Sequence, residues 1–129
     1  MIELDGRSLT ISDIATIARS SAAVGLSDPA REAVEACRAY LDTLIAEGRP
    51  IYGITTGFGA LDGHAVSREQ NQSLQHNLLK SHSAGVGRPM EIDTVRAMMA
   101  VRANVLASGK TGVSIETLDA LIAMLNAGL

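Results

Sequence analysis

The chain has 129 residues, 47% of them apolar, which is one domain's worth with enough apolar side chains for a core and excludes a disordered chain. Its net charge of −3 and the lack of any lysine or arginine run leave no footprint for nucleic acid or an anionic membrane, so a small molecule or a protein is the expected partner. Aromatics are only 2%, tryptophan is absent and Cys37 is the single cysteine, so an internal disulfide is excluded and aliphatic helix packing, a mainly α fold, is expected.

The start carries no charged-then-apolar signal region and no apolar run near ~18 residues, so a cytoplasmic location is expected. Glu3 to Ile11 alternates weakly around the turn dipeptide Asp5-Gly6, which predicts a short strand or hairpin. Ser12 is then placed to cap a brief helix through Ile14, Ile17 and Ala18. Asp28-Pro29 reads as a helix start, a cap followed by proline at the first helical position. Val34, Cys37, Leu41, Leu44 and Ile45 then recur at helical steps until Gly48, which puts Cys37 on a buried face as a small packed hydrophobe.

After Pro50 the pattern breaks. Tyr52-Gly53-Ile54-Thr55-Thr56-Gly57-Phe58-Gly59 holds three of the twelve glycines, the only phenylalanine and one of the two tyrosines. Glycines at this spacing permit positive φ and close backbone approach, and the threonines resist helix. Two readings follow: a loop that presents a phenol to a ligand, or a surface loop with Tyr52 and Phe58 anchored in a core.

Ser67-Arg68-Glu69-Gln70 has the form of a capping box and opens a helix from Glu69 to about Ser81. Gln70, Asn71, Gln72, Gln75, His76 and Asn77 outnumber Leu74, Leu78 and Leu79 there. Such amides are either solvated, at an interface, or in a polar network, because each one left unpaired in a dry core costs roughly 1–3 kcal/mol. Ser81-His82-Ser83-Ala84-Gly85-Val86-Gly87 ends the helix under an imidazole, where a histidine is a favourable dipole partner, a hydrogen-bonded structural group or a ligand contact. His64, His76 and His82 show no metal spacing with Asp, Glu or Cys, so no metal site is expected.

Asp93 opens the next expected helix, with Val95, Met98, Met99, Arg102, Val105 and Leu106 on one side and Ala97, Ala100, Ala103 and Ala107 allowing close approach. Arg102 falls on the apolar stripe, which suggests a carboxylate partner or a snorkelling guanidinium. Gly109 is placed to stop the helix in the left-handed conformation. Val113 and Leu118 flank a Ser114 cap as a hydrophobic staple, and Leu118, Leu121, Ile122 and Leu125 give a last amphipathic helix.

Taken together, Tyr52 to Gly59, Leu74-Gln-His-Asn-Leu78, Ser81 to Gly87 and the helix from Val95-Arg-Ala-Met-Met99 through Arg102-Ala-Asn104 closely resemble the amino-terminal part of the aromatic amino acid ammonia-lyases and 2,3-aminomutases. The resemblance runs from about residue 3 to residue 129 and matches in order and spacing. It implies the amino-terminal helical portion of a mainly α, cytoplasmic, homotetrameric enzyme acting on an amino acid. Its electrophile would be 4-methylidene-imidazol-5-one, formed from an Ala-Ser-Gly tripeptide. On this resemblance Tyr52 would be the catalytic base, Gly59 would pass its backbone close to the substrate, and His82 would contact the substrate's side chain. A phenol titrates near about 10 in water, so such a base needs neighbouring charge or donors to work at neutral pH.

The family's cofactor-forming tripeptide is followed by Asp-Leu and lies beyond Leu129. Ala107-Ser108-Gly109 instead ends a helix and is followed by Lys110-Thr111-Gly112, so it is not expected to cyclise. The 129 residues are expected to be catalytically silent alone. Histidine and tyrosine are the leading substrates: Ser81-His82 resembles histidine ammonia-lyases and some tyrosine aminomutases, while threonine at 55, where histidine lyases commonly have asparagine, tilts towards tyrosine. The rival readings are a non-catalytic binding or assembly domain and one half of a split enzyme.

Overall fold

The structure is a computed structural model that describes residues 1–57 and 68–129. Its described elements are β1 (Ile2–Leu4), α1 (Ile11–Ser20), β2 (Val24–Leu26), α2 (Asp28–Ala46), α3 (Arg68–His82), α4 (Ile92–Ala107) and α5 (Ile115–Ala127). The mainly α fold expected from composition is what forms. Two compact units divide the chain, one of Met1–Leu41 with Pro89–Leu129 and the other of Asp42–Arg88. Among the described residues no helix is long and apolar enough to cross a membrane.

In the first unit β1 and β2 pair in parallel, with Ile2 opposite Val24 and Leu4 opposite Leu26. This corrects the hairpin option at Asp5-Gly6: parallel strands need a crossover, and α1 provides it. Asp5-Gly6 is still a turn. Its Asp5 Oδ1 accepts the N–H groups of Arg7 at 2.8 Å and Ser8 at 2.7 Å, while the Gly6 N–H donates to Asn104 Oδ1 at 3.0 Å.

The cap of α1 is Thr10 rather than Ser12. Thr10 Oγ1 accepts from the Asp13 N–H at 3.2 Å and Asp13 Oδ2 accepts from the Thr10 N–H at 3.0 Å. Ser12 has Ala15 at the third following position and no such reciprocal partner. At α2 the start differs by one residue, since the Ser27 hydroxyl accepts from the Ala30 N–H at 3.4 Å. Ala30 and Val34 of this helix are buried, whereas Cys37, Leu41 and Leu44 are half-buried and Ile45 is exposed.

The core joins Leu4, Ile17, Val24, Ala30 and Val34 to Ala100, Ala103, Leu106 and Ala107 of α4 and Leu118, Ile122 and Leu125 of α5. Leu106 is buried, Met99 packs against the core and the alanines allow close approach as expected, but the rest of the expected face of α4 is corrected. Val95, Met98, Arg102 and Val105 are exposed, and Arg96, Ala100, Ala103 and Ala107 are buried. Packing against α1 and α5 at interaxial distances of about 8–10 Å favours the side with the smallest side chains. α5 forms as expected, with the Ser114 hydroxyl accepting from the Thr117 N–H at 3.4 Å. Near its end the Asn126 carboxamide pairs with the edge of β2, accepting from the Val24 N–H at 2.9 Å and donating to the Val24 carbonyl at 2.8 Å.

Candidate active site

The second unit holds the end of α2, the Tyr52 turn and α3. The turn is wound on one carbonyl: Ile51 C=O accepts the N–H groups of Ile54 at 3.0 Å, Thr55 at 3.0 Å and Thr56 at 3.3 Å. Gly53 makes the winding possible with φ of +70°, a conformation that costs a residue with a β-carbon about 1 kcal/mol. The Thr55 hydroxyl accepts from the Ile51 N–H at 2.8 Å and donates to the Arg49 carbonyl at 2.7 Å. Thr56 is buried, its hydroxyl facing the carbonyls of Ile51 and Gly57.

Tyr52 sits within this bonded turn and is 60% exposed. It is therefore not a core anchor, which removes that alternative for Tyr52. Phe58, Gly59 and His64 lie outside the described residues.

On α3, Gln70, Gln72, Gln75, His76 and Asn77 are exposed, and Leu74 and Leu78 are half-buried, so these amides do not fill a dry core. Gln75 Nε2 donates to the Gly53 carbonyl in a long bond of 3.5 Å, which lays the Tyr52 turn against this helix. His82 follows Gln75 by seven residues, which is about 10 Å further along nearly the same helix face. The turn and the imidazole therefore share one side of α3.

His82 Nδ1 lies 3.0 Å from the Leu78 carbonyl and 3.0 Å from Ser81 Oγ, and the Ser81 hydroxyl itself donates to the Leu78 carbonyl at 2.9 Å. A carbonyl only accepts, so the contact with Leu78 is made with the hydrogen on Nδ1, and in that neutral tautomer Nε2 is an acceptor. The ring is exposed. It can accept a hydrogen bond from a donor brought to it.

Ala107-Ser108-Gly109 is a helix end. Ala107 is fully buried, Ser108 Oγ donates to the Val105 carbonyl at 2.7 Å, and Gly109, at φ of +67°, donates to the Leu106 carbonyl at 3.2 Å. Its groups are committed to capping, so it does not fit as a source of the electrophile.

In the sequence Thr55 stands out as a helix-resisting residue and a hint of substrate, and Gln75 as one amide among many. A hydroxyl in a glycine turn is a known local clasp, which was a usable signal for Thr55. Nothing in the sequence singled out Gln75.

Residues 9–129 match the family described as aromatic amino acid lyase. The chain is 43% identical over all of its length to 25% of the histidine ammonia-lyase of Streptococcus pyogenes serotype M3, so it spans about a quarter of the curated relatives it matches. A crystal structure of histidine ammonia-lyase from Trypanosoma cruzi superposes with a TM-score of 0.86 at 35% identity, covering 98% of this chain and 24% of that one. A tyrosine aminomutase from Streptomyces globisporus gives a TM-score of 0.93 at 34% identity, covering 99% of this chain and 24% of that one. With a family match across nearly its whole length and the same backbone in two solved members, the chain belongs to the aromatic amino acid lyases.

Proposed function

We propose that this chain is the amino-terminal domain of an aromatic amino acid ammonia-lyase or 2,3-aminomutase, cytoplasmic and homotetrameric when complete, with Tyr52 as the base. The observation that carries the reading is the phenol of Tyr52, 60% exposed on a turn whose backbone is otherwise fastened by Ile51 and Thr55. A base needs this combination of access and fixed position.

Deprotonated, the Tyr52 oxygen takes the proton from the substrate's β-carbon. The electrons of that C–H bond form the double bond to the α-carbon as the C–N bond breaks and ammonia leaves. The family's 4-methylidene-imidazol-5-one would supply activation of the amine, and Ala107-Ser108-Gly109, a helix end, would not be its source. Gly59 would contact the substrate, as the family resemblance implies.

His82 reads the substrate's ring. With Nδ1 bonded to the Leu78 carbonyl, Nε2 accepts from an imidazole N–H or a phenol O–H, and a plain phenyl ring offers neither. Histidine and tyrosine therefore fit better than phenylalanine. The test is Tyr52→Phe in the complete enzyme, which is expected to lower kcat by about 10²–10⁴-fold, the usual worth of a general base, with tetramer assembly unchanged in ultracentrifugation. Retained turnover would remove Tyr52 from the chemistry.

A further inference from the structure

We infer that Thr55 is a positioning residue for Tyr52, its hydroxyl clasping the two backbone groups on either side of Pro50 and so setting where the phenol stands. The inference rests on the reading of Tyr52 as the base.

Pro50 has no N–H, so the chain entering the turn lacks one of the amides that could hold it. The groups flanking it are the Arg49 carbonyl and the Ile51 N–H, and the Thr55 hydroxyl bonds both, donating to the first at 2.7 Å and accepting from the second at 2.8 Å. A hydroxyl has one hydrogen and two lone pairs, and a single side chain here uses both functions on neighbouring residues. The first is at the usual length for a hydroxyl donor and the second is in the short part of the range for an N–H donor.

Ile51 is the pivot of the turn. Its carbonyl gathers the N–H groups of Ile54, Thr55 and Thr56, and its own N–H goes to Thr55. With both ends of Ile51 bonded, the backbone at Tyr52, the next residue, has little freedom. By contrast, the bond from Gln75 to Gly53 is 3.5 Å long, too long to hold the turn by itself. Without the Thr55 hydroxyl the turn keeps the three bonds to the Ile51 carbonyl but loses those to the Arg49 carbonyl and the Ile51 N–H. The phenol then samples positions away from the β-carbon.

The experiment compares Thr55→Val, which keeps the shape and removes the hydroxyl, with Thr55→Ser and Thr55→Asn in the complete tetrameric enzyme. Serine retains the hydroxyl, and asparagine offers one acceptor and one donor on a short arm. Thr55→Val is expected to lower kcat by about 10²-fold, the scale of a misplacement near 1 Å, with KM within about threefold and the melting temperature unchanged. Serine and asparagine are expected to restore most of the rate. Equal rates for valine and threonine, or a serine variant as slow as valine, would overturn the clasp. If Thr55→Val fails to assemble, Thr55→Ala against Thr55→Ser decides by the same criterion. Tyr52→Phe run alongside separates the two ideas. An active Tyr52→Phe takes down both, whereas an inactive Tyr52→Phe with a fully active Thr55→Val sinks only the role of Thr55.

Discussion

A guanidinium that is 7% exposed has to replace its hydration, and Arg96 does so with backbone rather than with a carboxylate. Its Nε and one terminal nitrogen donate to the Ile17 carbonyl at 3.2 and 3.0 Å, and the other terminal nitrogen donates to the Leu125 carbonyl at 2.7 Å. Ile17 and Leu125 lie in the last turns of α1 and α5, where the helix dipole is negative and the Leu125 carbonyl has otherwise only a long bond of 3.4 Å from the Gly128 N–H. One cation therefore caps two helices and ties both to α4. Arg96→Met should destabilise the protein by about 2–5 kcal/mol, since bonds to a charged donor are each worth about 1.5–3 kcal/mol and the carbonyls stay buried. Urea denaturation measures this, and a loss below about 0.5 kcal/mol, the scatter of ordinary surface changes, would mean that the clasp contributes nothing. The exposed Arg31–Asp119 pair is the contrast: its bidentate bonds of 3.0 and 2.7 Å lie where water screens them and are worth at most about 1 kcal/mol.

Helix ends in this protein do two jobs, and glycine shows the difference. Gly48 and Gly109 have nearly the same φ, +68° and +67°, and each follows a helix. A β-carbon on Gly48 would meet nothing within 4 Å, whereas one on Gly109 would lie 2.7 Å from the carbonyl carbon and the β-carbon of Ala33 in α2. Gly48→Ala should therefore cost only the backbone term of about 1 kcal/mol. Gly109→Ala adds overpacking of about 1–3 kcal/mol, for a total of about 2–4 kcal/mol. Thermal unfolding of the two variants checks the difference, and equal losses would show that the α2–α4 contact yields freely. Close packing on α1 and α5 is likewise why α4 turns Ala100, Ala103 and Ala107 inward: larger side chains would hold the helices apart.

For the molecule as a whole, the shifted carboxylates make stability depend on acid. Asp5 is lowered from 3.8 to about 2 by the Ser8 N–H and hydroxyl and the Arg7 N–H. Thr10 lowers Asp13, the Arg31 guanidinium lowers Asp119, and its own backbone N–H with the Ser114 hydroxyl lowers Glu116. Each group binds its proton more weakly folded than unfolded. The stability they contribute is present above the unfolded values near about 4 and is lost as pH falls through the folded values. The urea midpoint should therefore fall between pH of about 4 and about 2, with Asp5→Asn flattening the lowest part of that slope. A midpoint independent of pH in this window would contradict the turn geometry at Asp5.

How much of this was legible in the residues depends on the range of the forces involved. The α2 boundary at Gly48, the Ser114 cap, the stop at Gly109 and the turn at Tyr52-Gly53 are local matters of φ, capping and side-chain chemistry, so the sequence determined them within a residue or two. The family likeness was legible in the same motifs. Tertiary structure decided what depends on partners distant in the chain. β1 found β2 across α1 because their apolar edges could pair in parallel, a choice that the Asp5-Gly6 turn could not foretell. Hydrophobicity ranked Val95, Met98 and Val105 as the inner face of α4, yet close packing selected the alanines, and with them Arg96 rather than Arg102. A buried charge is favourable only where carbonyls converge on it, and the convergence of Ile17 and Leu125 exists only once α1, α4 and α5 have packed.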